Sequence, residues 1–204
     1  MPLKDALLGF KIQRELRLLP PHSVIMLYTT YKGEWCNGVL GKRFREALPA
    51  AYDCFQDICT VHNAQMNPDN MVDRLAGTCH LIPPQPGDGS NSRLPPLYVA
   101  CIFVSPKDGP RCEITNSGPR NKPAESLRQI GFGLAQMKDL LDQEAAAGRT
   151  NWSSSGRNML VYAEGPNSTD FDVQSAQVSS MIRHRFIDGP WEGTWWKTGR
   201  VPGW

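Results

Sequence analysis

Leu97-Tyr98-Val99-Ala100-Cys101-Ile102-Phe103-Val104 decides the fold: eight residues, apolar nearly throughout, with Pro95-Pro96 before them and a polar run from Ser105 after. A strand that alternates its side chains between two faces, and is apolar on both, has to be covered on both. Such strands lie centrally in parallel sheets flanked by helices. Residues 23–31, with Val24, Ile25, Met26, Leu27, Tyr28, Thr29 and Thr30, read as a second buried strand. Residues 76–82, stopped by Pro83-Pro84, give a third candidate, and residues 159–163 a short fourth.

Helical periodicity fills the intervals. Residues 39–48 predict one helix and residues 50–61 another, with Ala51, Cys54, Phe55, Ile58 and Cys59 at helical spacing. Pro49 suits the first turn of the second. Residues 124–147 predict a long helix with Leu127, Ile130, Leu134, Met137, Leu140 and Leu141 on one face and Gly148 as its C-cap. Strands alternating with helices predict an α/β fold built on one layered sheet. The two ends read less clearly. Residues 1–20 carry a weak amphipathic pattern that ends at Pro20-Pro21, and they have room for a first strand or strands. Residues 173–186 suit a helix, and 191–204 form a Trp- and Gly-rich tail without periodicity. The expected organisation is therefore an N-terminal segment at 1–20, one domain at 21–190 and a tail at 191–204.

Composition bounds the function. A chain of 204 residues can bury its own core as one domain. Its net charge of +2, without a basic stripe, does not indicate nucleic acid. No apolar run approaches the ~20 residues of a membrane span, and the N-terminus lacks the apolar core of a signal peptide. The expectation is an intracellular protein, cytoplasmic or nuclear. The six cysteines form no CxxC pair, so they are expected as free thiols, with Cys36 the exposed exception. No spacing asks for a metal or a cofactor.

Four features bear on chemistry. Gly33-Glu34-Trp35-Cys36-Asn37-Gly38, between a buried strand and a helix, suits backbone N–H groups that face a phosphate. It is neither GxGxxG nor a Walker loop, and an ordinary strand–helix connection reads the same way. His22, His62, His80 and His184 have no partner at catalytic spacing and read as structural or solvated. Cys36, just before a helix, sits where a thiol pKa falls, yet no histidine pairs with it. Trp191, Trp195, Trp196 and Trp204 among glycines and basic residues suit either stacking on a ligand or docking a protein partner.

In order and spacing, these segments resemble the macro-domain family of ADP-ribose-binding proteins, most like the group related to yeast-type ADP-ribose 1″-phosphate phosphatases. The resemblance rests on residues 22–35 with Gly38-Val39, on Ala47-Leu-Pro-Ala-Ala-Tyr52 with Phe55 and Cys59, and on Gly77-Thr-Cys-His-Leu-Ile-Pro-Pro84 with Pro86-Gly87-Asp88. Tyr98-Val-Ala-Cys-Ile-Phe-Val-Ser105 with Gly109 and residues 126–141 complete it, over about residues 20–142. It implies a macro-domain-like three-layer α/β/α fold with a mixed, mostly parallel central sheet, and ADP-ribose lying across the strand ends.

Carried over residue by residue, it places Gly33, Trp35, Gly38 and Val39 at the diphosphate or in the loop that holds it. Ser105 and Gly109 would edge the distal ribose, Glu15 would hold adenine, and Gly189 would be left from a second phosphate loop. The departures fall on ligand positions. Thr30 stands where the family has the asparagine that contacts the distal ribose, and Leu27 where the phosphatase group has its histidine. Glu34 replaces the loop serine and Cys36 a glycine. The resemblance implies a divergent macro domain that binds ADP-ribose or a related nucleotide. The reaction it implies is hydrolysis of ADP-ribose 1″-phosphate or an ADP-ribosyl ester, and no residue reads as its base. The alternative is a non-catalytic scaffold on the same fold, with a degenerate cleft and a partner docked by the Trp-rich end.

Overall fold

The computed structural model describes residues 16–30, 35, 38–65, 75–89, 94–105, 123–149, 158–164, 175–186 and 191–197. Among them, β1 (Val24–Thr30), β2 (Cys79–Ile82), β3 (Tyr98–Ser105), β4 (Asn158–Glu164) and β5 (Trp191–Lys197) make one sheet in the order β2-β3-β1-β4-β5. β1 runs parallel to β3 and β4, and β4 parallel to β5. β2 pairs antiparallel with β3, from Cys79↔Ile102 to Ile82↔Val99. The helices are α1 (Gly38–Ala47), α2 (Pro49–Gln65), α3 (Pro86–Gly89), α4 (Pro123–Ala146) and α5 (Ser175–Phe186).

The alternation of side chains along β1 and β3 explains why both strands are apolar throughout. Ile25, Leu27, Val99, Cys101 and Phe103 join one buried cluster with Phe44 of α1 and Ala51, Phe55 and Cys59 of α2. Val24, Met26, Tyr28, Ala100, Ile102 and Val104 join a second with Ile130, Leu134 and Met137 of α4 and Val178 and Ile182 of α5. Two cores on opposite faces of one sheet make three layers, the arrangement expected from the sequence. Each fully buried large side chain contributes roughly 1.5–3 kcal/mol relative to exposure.

Two glycines set the spacing of the second core. A Cβ at Gly133 would overlap Ile102, so α4 lies against β3 at a distance only glycine permits. Gly77, at φ 78°, turns the chain into β2 and gives its N–H to Phe103 O at 2.7 Å. The turn shortens the strand expected over 76–82, because Thr78 donates both its N–H and its hydroxyl back to Leu75 O.

α2 begins at Pro49 with Leu48 before it, a residue that has no side-chain acceptor for the free amides of a first turn. Asp88 of α3 supplies one from 38 residues away: Oδ1 accepts the Ala50 N–H at 2.7 Å, and Oδ2 the Ala51 N–H at 3.1 Å.

Of the two ends, residues 1–15 and 198–204 lie outside the described residues. Residues 16–19 make a helical turn, closed by Leu19 N–H to Leu16 O at 3.3 Å, and no strand lies among them. The tail expected from residue 191 begins with β5, which keeps seven-residue register with β4 from Asn158↔Trp191 to Glu164↔Lys197. The sheet therefore crosses the boundary drawn at residue 190. Backbone ladder bonds hold an edge strand whatever its hydropathy pattern, so Trp191-Glu-Gly-Thr-Trp-Trp-Lys197 pairs without the alternation that marks a strand in sequence.

Candidate functional site

The layers define where a ligand can enter. The chain leaves β1 for α1 and α2, which cover one face. It leaves β3 for α4 and β4 for α5, which cover the other. The connection from β1 thus diverges from those of its neighbours β3 and β4 beyond the carboxyl ends of the strands. A divergence of this kind opens the crevice in which α/β sheets bind ligands.

Thr30 and Ser105, two of the expected ligand positions, meet at this rim. They are register partners on β1 and β3, brought level by an irregularity between Thr29 and Thr30. Gly38 and Val39 open α1. The start of α1 is fixed at the rim by Trp35, three residues upstream, whose backbone bridges antiparallel to Thr29. α4 also starts there. Along it, Gln129 lies against Gly77 beside Phe103, Gly133 lies against Ile102, and Glu144 accepts from the Tyr98 hydroxyl at 3.3 Å. Rising numbers on α4 meet falling numbers on β3, so α4 runs antiparallel to β3 and Pro123 lies beyond Phe103 on the rim side. Two helix N-termini with their positive dipole ends therefore lie at the carboxyl end of the sheet, a setting that favours an anion.

The side chain of Trp35 packs into the core between α2 and the sheet. The indole is 5% exposed and stands edge-on to Tyr52, with centroids 5.1 Å apart. It also packs on Phe55, which stacks on Phe103 at 5.8 Å. The ring is thus spent on the core rather than offered to a ligand. Its N–H makes no hydrogen bond to any described group.

Other positions limit the chemistry. Leu27 is fully buried in the cluster under α1 and α2. Glu15, Gly33, Glu34, Cys36, Gly109 and Gly189 lie outside the described residues. His80 packs edge-on to Phe103, and His22 edge-on to Tyr98 at the opposite end of the sheet. His184 is exposed between Arg183 and Arg185 in the last turn of α5, where cations suit the helix dipole. The side chain of His62 is outside the described set. Cys54, Cys59, Cys79 and Cys101 are free thiols. Burial pushes the Cys79 thiol up, and burial followed by Asp57, Asp88 and Asp53 does the same to Cys54, which leaves neither a ready nucleophile. Among the described residues no group of His, Cys, Asp and Glu has the geometry of a metal site, and no helix is long and apolar enough to cross a membrane.

One charged group near the rim escaped the sequence reading. Glu125, in the first turn of α4, accepts from Arg128 Nη2 at 2.7 Å and from Gln129. The Arg128 hydrogen bond, then that of Gln129, holds its carboxyl below the usual range. The signal was present: an acid in a helix first turn with arginine three residues on is a recurrent helix pair.

No protein-family model matches the chain, and no curated protein does. Among solved structures, it is similar to the macrodomain of Thermus aquaticus DarG, at 14% identity over 88% of this chain and 91% of that one, with a TM-score of 0.47.

Proposed function

We propose that this chain is a divergent macro-like domain that binds ADP-ribose or a related nucleotide across the rim, with the diphosphate toward the N-termini of α1 and α4. The observation that carries this reading is the divergence of connections at β1, with Thr30 and Ser105 in register at the mouth. Fold alone fixes no function; the reading is supported by two helix N-termini at the rim, a setting that suits a phosphate. In this reading Trp35 holds the loop, and Gly38 and Val39 present amides. Thr30 and Ser105 border the distal ribose, with Gly33, Gly109, Glu15 and Gly189 completing the contacts.

Binding is the primary activity in this reading. With Leu27 and Thr30 at the histidine and asparagine positions, hydrolysis of an ADP-ribose phosphate or ester has no evident base among the described residues. Titration calorimetry with ADP-ribose, ADP and AMP tests the proposal. The expected result is saturable binding with a Kd of about 1 mM or tighter, which corresponds to about −4 kcal/mol or better. Absence of heat at millimolar ADP-ribose removes it.

A further inference from the structure

We draw no further inference here: the strongest candidate, the buried indole N–H of Trp35 beneath the start of α1, belongs to the rim already described, and nothing in the structure shows an acceptor facing it.

Discussion

The two ends of the sheet are built differently. At the amino end of β3, hydrogen bonds within the chain close the structure. The Tyr98 hydroxyl donates to Glu144, Glu144 takes two bonds from Arg149, and the His22 N–H donates to Pro96 O. Asp88, past the end of β2 that pairs with Val99, caps α2. At the carboxyl end, α1 and α4 start, with their positive dipole ends toward the rim. The contrast separates scaffold from site: substitutions at the amino end should lower stability and spare ligand affinity, whereas substitutions under the rim should lower both.

The largest expected effect lies under the rim. Phe55 is fully buried and supports Trp35 on one side and Phe103 on the other. Phe55→Ala should cost about 3–5 kcal/mol in urea unfolding, by lost transfer energy and the cavity left behind. It should also weaken ADP-ribose binding, because Trp35 at the rim loses its support. Unchanged affinity in a folded Phe55→Ala protein would break the link between that core and the rim.

Next is the cap. Asp88→Ala removes both acceptors from the Ala50 and Ala51 amides and should cost about 0.5–2 kcal/mol. Ligand affinity should stay within a factor of about two, or about 0.4 kcal/mol, because the cap lies at the opposite end of the sheet from the rim. A large affinity loss would mean that the two ends are coupled.

The smallest effect is a pH dependence. Burial, then the charge of Glu144, raises the Tyr98 hydroxyl to about 12. An acid whose folded pKa is raised contributes stability that is complete below its unfolded value near 10. That contribution is lost as pH rises toward the folded value. Thermal unfolding followed from pH 9 to 12 should fall less steeply in Tyr98→Phe than in the unaltered protein. Parallel curves would show that the hydroxyl is equally solvated folded and unfolded.

How much was legible follows from the range of each interaction. The β3 stretch and β1 were plain, because a run apolar on both faces reports burial on both sides. α4 was plain because Ile130, Leu134, Met137 and Leu141 recur at helical spacing. β5 was not, since backbone pairing with β4 leaves no hydropathy mark. Nor was the cap, because Leu48 and Pro49 say only that a local acceptor is missing, and Asp88 is distant in sequence. Of the candidate site, the strand ends at Thr30 and Ser105 were legible from the apolar runs that precede them, while the register that brings the two level depends on strand pairing across 75 positions. The burial of the Trp35 ring likewise depends on α2, which the loop sequence does not reveal.

The most direct test of the rim is a titration of the amide resonances of the isotopically labelled protein with ADP-ribose. The account predicts that Thr30, Gly38, Val39, Ser105 and the first turn of α4 shift together along one saturation curve, while Tyr98, Asp88 and Arg149 stay in place. Shifts confined to the amino end of the sheet, or none at millimolar nucleotide, would contradict it.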